Sequence, residues 1–208
     1  LPEKIITNKE FESFLDTSDE WIKSRTGIEQ RRQLEFGKAS SFMAIKAIEK
    51  LIKRRKIDIQ EIDCIIVSTI TPDMVFPSTA CLIQNHFKIS NCWGFDLSAA
   101  CSGFLFGLET ADALIKSKKY KKIIVVGVDK MSPILDYQDR NTCVLFGDGA
   151  GAVILSSSSE PGIMSSTIVS DGSYKDLLTV NTDPEFIEMK GNDVFKIAVN
   201  TLGKLAIS

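Results

Sequence analysis

Only one histidine, His86, stands among the 208 residues, and no two cysteines are spaced as a C-x-x-C pair. A cysteine nucleophile that needed a nearby imidazole would have to use His86, which lies in "IQNHFK" among polar neighbours and reads as a surface or packing residue. The missing C-x-x-C spacing removes zinc ribbons and thiol-disulfide chemistry, and no metal site is expected. Basic excess is also missing: 25 Lys and Arg face 27 Asp and Glu, a net charge of −2, which argues against a nucleic-acid partner. No apolar run approaches the roughly 18 residues of a membrane span. The opening "LPEKIITNKEF" lacks the charged-then-apolar layout of a signal peptide, so a soluble protein with no membrane partner is expected.

What is present is an ordinary globular composition, 44% hydrophobic, enough for a sizeable core without covalent staples. The five cysteines, 64, 81, 92, 101 and 143, are odd in number and irregular in spacing, which suits a reducing compartment. Cys64 and Cys143 lie in apolar runs and read as small buried hydrophobes.

"SSFMAIKAIEKLIKRRK" from Ser40 sets Ile45, Ile48 and Ile52 at helical spacing behind a serine N-cap candidate, and "CIIVSTI" from Cys64 reads as a buried strand. The alternation continues with a helix from Ser78, a strand from Cys92, a helix from Ser102 with Phe104, Leu108, Ala111 and Ile115 on one face, and a strand from Lys122. Such alternation predicts a largely parallel sheet covered by helices on both faces, hence an α/β fold. "CVLFGDGAGAVILSSSS" reads as two strands bracketing a tight glycine-rich loop, and the serine run with "EPG" from Glu160 reads as a linker. "IMSSTIVSDGSY" and "LLTV" read as strands of a second unit, and "GNDVFKIAVNTLGKLAIS" as the start of its helix. The expected organisation is one complete half over residues 1–160 and the beginning of another over 161–208.

Cys101 is the one cysteine with unusual surroundings. In "DLSAACSGF" a strand turns into small residues and then into a helix, the setting of a nucleophile elbow. Ala99, Ala100 and Gly103 permit the turn, and the free N–H groups at a helix start favour a thiolate. Spacing alone leaves a bland buried cysteine equally open. "GDGAGA" lacks the G-x-G-x-x-G spacing and does not open the first βα repeat, so no nicotinamide cofactor is expected. The basic runs Lys53 to Lys56 and Lys116 to Lys122 read as solvated helix ends, with docking of an acidic carrier protein as the alternative.

Seven stretches, in order, resemble the β-ketoacyl-acyl carrier protein synthase III family of the thiolase superfamily: "LPEKIITN", "DTSDEWIKSRTGI", "FPSTACLIQ", "FDLSAACSGF", "DRNTCVLFGDGAGAV", "SDGSY" and "MKGNDVFKIAV". The resemblance implies a thiolase-like αβαβα layered sandwich, with the N-terminal half complete and the C-terminal half truncated, and normally a homodimer. It implies a condensation that starts type II fatty acid synthesis from an acyl-coenzyme A, acetyl by default, and malonyl-acyl carrier protein, with the coenzyme A thioester as substrate and no cofactor.

By position, Cys101 matches the acylated nucleophile. Trp21 and Arg25 match the residues that hold the adenine nucleotide of coenzyme A, with Thr17 and Arg140 at the same site. Met189, Gly191, Asn192 and Phe195 match the pantetheine tunnel. Phe76 matches the residue reaching across the dimer into the partner's acyl pocket, with Phe146 and Leu178 near the same cavity. Without the family context, Trp21 reads as a half-buried helix aromatic, and plain core packing is equally open for the last three. The family's catalytic histidine and asparagine lie beyond residue 208, so the fragment alone is expected to be inactive. A polyketide- or hydroxymethylglutaryl-type synthase and a non-catalytic partner of the same fold are the alternatives, and a bacterial cytoplasm or a plastid or apicoplast stroma the expected location.

Overall fold

A computed structural model describes residues 1–160, 162–180 and 186–205. In chain order it contains β1 (Lys4–Thr7), α1 (Asn8–Glu12), α2 (Asp19–Thr26), β2 (Gln30–Gln33), α3 (Ser40–Arg55), β3 (Cys64–Ser68), α4 (Thr79–Phe87), β4 (Trp93–Leu97), α5 (Gly103–Lys116), β5 (Lys122–Lys130), β6 (Asp148–Ser156), β7 (Leu178–Val180), β8 (Ile187–Met189) and α6 (Gly191–Leu205). Pro161 of the predicted linker and residues 206–208 of the predicted last helix lie outside the described residues.

The chain divides into two compact units, interleaved in sequence. Unit 1 takes Leu1–Lys4, Arg32–Lys130 and Asp148–Ser166; unit 2 takes Ile5–Arg31, Met131–Gly147 and Thr167–Ser208. This is a division by packing, where the expected division at 160 is one by repeat.

Unit 1 is built on a four-stranded sheet in the order β4-β3-β5-β6. β3 runs parallel to β4 and β5, as the helix–strand alternation predicts. Every residue of β3 is buried, because helices cover both faces and a strand so placed has no polar side. Its alternation divides the load: Ile65 and Val67 pack with Met43, Ala44, Ile48 and Ile83 of α3 and α4, and Cys64 and Ile66 with Ala111, Phe104 and Leu108 of α5.

Four readings need correction. "GDGAGA" is not a loop; from Asp148 it lies inside β6, which pairs antiparallel with β5 in the register Gly127 to Gly151, and the Asp148 carboxylate accepts a hydrogen bond from Leu34 N–H at 2.7 Å. "CVLF" is not a strand but part of a turn that begins at Asp139, where Cys143 N–H donates to Asp139 C=O at 3.1 Å. Four apolar residues bury equally well from a turn, and so short a run has no period to distinguish them. "IMSSTIVS" carries no strand either; beyond it β7 and β8 pair, antiparallel, from Leu178 opposite Met189 to Val180 opposite Ile187. Ser40 does not cap α3, which it opens as its first residue; its hydroxyl donates to Thr71 C=O at 2.6 Å, and Asp73 accepts from Ser41 N–H at 2.8 Å.

Unit 2 has a small core of its own, formed by Phe11, Ile22, Leu135, Cys143, Val144 and Ile187. Among the described residues no helix is long and apolar enough to cross a membrane.

Candidate active site

The Cys101 corner belongs to unit 1. β4 ends at Leu97, a 3-10 turn covers Ala100–Ser102, and α5 starts at Gly103, one residue later than its predicted start. Ala100 stands at φ +45°, a left-handed conformation in which a larger side chain would be strained. Gly103 has no room for a side chain: a Cβ there would lie 2.0 Å from Ser68 Oγ at the end of β3. One turn on, a Cβ at Gly107 would lie 2.9 Å from Val125 Cγ1. The two glycines therefore seat α5 directly on β3 and β5, and the chain entering the helix is pushed outward with Cys101 exposed.

Burial separates the five thiols. It pushes Cys64 up to about 12 and Cys92 and Cys143 up to about 11, which keeps all three protonated and unreactive. Cys81 and Cys101 are exposed. Cys81 lies in the first turn of α4, but that helix start is already occupied: the Asp96 carboxylate accepts from Thr79 N–H at 2.7 Å and Ala80 N–H at 2.9 Å, and Ser78 caps Cys81 N–H. Among the described residues no side chain caps the start of α5 at Ser102. Cys101 thus precedes a helix whose positive end is not already satisfied by a carboxylate. His86 pairs with Glu49 at 3.7 Å and sets its ring edge-on to Phe87, the packing role read from its neighbours.

Phe76 lies in the loop between β3 and α4, 83% exposed beside the exposed Met74 and Val75. The base of that loop is tied down by Asp129 at the end of β5, whose carboxylate accepts from Ile70 N–H at 2.9 Å and from the hydroxyls of Thr69 and Thr71. Burial raises the Asp129 carboxyl above the usual carboxylate range against those stabilising bonds.

Unit 2 contains a cleft of about 370 Å³ lined by six of the eight residues matched to coenzyme A: Trp21, Arg25, Arg140, Met189, Gly191 and Asn192. Ser18 caps α2 by accepting from Trp21 N–H at 3.0 Å, and Gly27 at φ +70° ends the helix. Arg25, one turn after Trp21, places its guanidinium 4.8 Å from the indole centroid, and Arg140 lies 5.2 Å from it. Arg140 also donates to Asp16 C=O at 2.6 Å. Two cations on one indole suit a planar, negatively charged group, since each guanidinium can stack or bind phosphate.

Two of the eight stand elsewhere. Phe195 is 70% exposed on α6, and Thr17 lies in the turn before α2 with its hydroxyl oxygen buried and unpartnered. Phe146 packs half-buried on the unit 2 core, and Leu178 is exposed at the start of β7; neither lines the cleft. The cleft also takes Thr26, Asn141, Val144 and Leu145, which sequence reading did not single out. Val144 and Leu145 sit in the stretch misread as a strand. Among the described residues no cluster of His, Cys, Asp and Glu could hold a metal ion.

The family model described as 3-oxoacyl-[acyl-carrier-protein (ACP)] synthase III matches residues 95–172, a span that includes Cys101 and Arg140. A β-ketoacyl-[acyl-carrier-protein] synthase III of Chlorobaculum tepidum is 47% identical over 99% of this chain and 68% of its own. The chain belongs to the β-ketoacyl-[acyl-carrier-protein] synthase III family. Among solved structures, the synthase III of Aquifex aeolicus superposes with a TM-score of 0.91 at 43% identity, over 95% of this chain and 64% of that one. The priming β-ketosynthase of the R1128 polyketide pathway superposes at 0.92 and 32% identity, over 97% of this chain and 64% of that one. The chain thus spans about two thirds of the length of the synthases it matches, and its fold is their thiolase-like α/β fold.

Proposed function

We propose that the intact protein starts fatty acid synthesis by condensing an acyl-coenzyme A, acetyl by default, with malonyl-acyl carrier protein through a thioester on Cys101. The observation that carries this reading is the exposed Cys101 thiol ahead of an uncapped helix start, in a chain of this family. The Cys101 thiolate attacks the thioester carbonyl carbon, the bond to the coenzyme A sulfur breaks, and coenzyme A leaves as its thiolate. Backbone N–H groups at the corner suit the oxyanion that forms in between. Malonyl-carrier protein then loses carbon dioxide, its carbanion attacks the acyl-cysteine carbonyl, and the Cys101 thiolate is released with the 3-oxoacyl product. This second stage draws on the part of the family's length outside these 208 residues.

In this reading Trp21, Arg25 and Arg140, with Thr17 beside them, bind the nucleotide, and Met189, Gly191, Asn192 and Phe195 flank the pantetheine arm. Exposed Phe76 serves the acyl pocket of a second protomer in a homodimer, with Phe146 and Leu178 near the same pocket. The chain's two parts, 1–160 and 161–208, are one thiolase-like half and the start of the next. The thioester is a substrate and no further cofactor takes part; a bacterial cytoplasm or a plastid stroma is the setting.

Full-length protein given acetyl-coenzyme A should carry an acetyl group on Cys101 by peptide mass spectrometry, and malonyl-carrier protein should remove it as acetoacetyl product. Acetylation elsewhere, or persisting in a Cys101→Ser variant, would overturn the reading. The likeness to a polyketide priming synthase supports a second reading, the priming of a polyketide, which activity with a polyketide-type carrier protein in place of the fatty acid one separates from the first.

A further inference from the structure

Arg31 is 6% exposed, and its guanidinium does not reach the cleft. Its Nε donates to the Val144 carbonyl at 2.7 Å and a second nitrogen donates to the same oxygen. The third nitrogen donates to the Asn8 side-chain carbonyl, and the Phe11 ring lies 4.9 Å beneath. These bonds end on a peptide carbonyl and an amide, neither of them charged. Burial pulls this guanidinium below the ordinary arginine range. A buried cation held only by neutral acceptors is costly, and an apolar residue of like size would often serve stability as well or better. The position therefore points to placement of something else.

What it places is legible from its two ends. Val144 lines the cleft in the same turn as Arg140 and Asn141. Asn8, 1% exposed, passes the other end on: its Nδ2 donates to Asp19 Oδ1 and to Ile28 C=O, each at 2.8 Å. Asp19 opens α2 and Ile28 follows its end, so one amide grips both ends of the helix that carries Trp21 and Arg25. The Asn8 bond is the largest cause of the lowered Asp19 carboxyl, ahead of Lys23.

Resting on the coenzyme A reading of this cleft, we propose that Arg31 and Asn8 form a buried clamp that sets the spacing between the Trp21 helix and the Arg140 turn. Arg31 is thus a positioning residue for the nucleotide end of the thioester substrate. Because misplacement by about 1 Å can cost on the order of a hundredfold, the clamp acts on nucleotide affinity without touching the nucleotide.

The test uses full-length protein, with Arg31→Lys, which keeps the charge but loses the forked grip on Val144. Asn8→Ser is the second variant, which cuts the link to α2 and leaves Arg31 on Val144. Two acetyl donors are compared for acylation of Cys101: acetyl-coenzyme A, and acetyl-N-acetylcysteamine, which has no nucleotide. Thermal melting confirms which variants are folded at the assay temperature. The expected result, in whichever variant is folded, is a KM for acetyl-coenzyme A raised roughly tenfold or more with kcat held, and an unchanged rate with the nucleotide-free donor. Equal losses with both donors, or no change with either, would overturn the clamp. Trp21→Ala runs beside them: if it too leaves the KM for acetyl-coenzyme A unchanged, the coenzyme A reading itself has failed, whereas a raised KM there with unchanged clamp variants refutes the clamp alone.

Discussion

At the Cys101 corner, position is set by the absence of atoms: Gly103 and Gly107 let α5 sit on a sheet whose strand β3 is wholly buried, and among the described residues no side chain caps the helix start. At the Trp21 cleft, position is set by buried polar bonds: Arg31 and Asn8 tie a turn and a helix whose core is small. The contrast suits what each region is proposed to do. A nucleophile must be held stiffly and left otherwise unengaged, and close packing does that. A nucleotide site needs cations at a fixed separation on a surface without a deep core, where hydrogen bonds supply the direction that packing cannot.

Substitutions can break this contrast, and the largest effect is expected in the sheet. Ile65→Ala, at a residue with no exposed surface, should cost about 2–5 kcal/mol in urea unfolding of the full-length protein. A cost well under 1 kcal/mol would mean that the apolar layer does not hold the corner. Next comes Gly103→Ala, whose new methyl group meets Ser68 and should cost about 1–3 kcal/mol by overpacking. It should also slow acylation of Cys101 by nucleotide-bearing and nucleotide-free thioesters alike. Selective loss with one donor would show that the corner and the cleft are not separately built.

A smaller and more selective effect is expected at Arg140. Arg140→Ala removes one cation from the Trp21 ring and should raise the KM for acetyl-coenzyme A roughly tenfold, equivalent to about 1.4 kcal/mol, with kcat little changed. The smallest effect concerns pH and Asp129. Its folded pKa lies above the unfolded value, so its contribution to stability is greatest below the unfolded carboxylate pKa and declines as pH rises through the folded one. Asp129→Asn keeps the accepting oxygen for Ile70, Thr69 and Thr71 and removes the charge. Urea unfolding from about pH 3.5 to pH 7 should show the variant gaining on the parent protein as pH rises, since the parent's pKa of about 3.9 when unfolded sets the lower edge. A variant that loses ground with rising pH would mean that the carboxylate is stabilised by its partners more than burial penalises it.

Local order was readable where structure is local. The helix–strand alternation from Ser40 to Lys130, the face of α5 and the bend at Cys101 each depend on neighbours within a few residues, and spacing reports them. Reading failed where the fold supplies a partner from afar. Asp73 does the capping that Ser40 was expected to do, and the "GDGAGA" stretch extends as strand because β5 offers it an edge. "CVLF" is buried by a turn that Arg31 holds from 113 residues away.

Hydrophobic period and order by themselves determined an α/β chain with one cysteine set apart at a strand–helix corner, because such patterns and small-residue turns act over short range; the synthase III family was carried by the resemblance of particular stretches. The tertiary structure alone decided which exposed thiol sits at an unoccupied helix start, since Cys81 and Cys101 both lie near helix N-termini and the Asp96 carboxylate, with the Ser78 cap, occupies that of Cys81. It alone decided the cleft as well. Trp21, Arg140 and Met189 lie more than a hundred and fifty residues apart from first to last, and buried hydrogen bonds from Arg31 and Asn8 act over distances that no sequence period records.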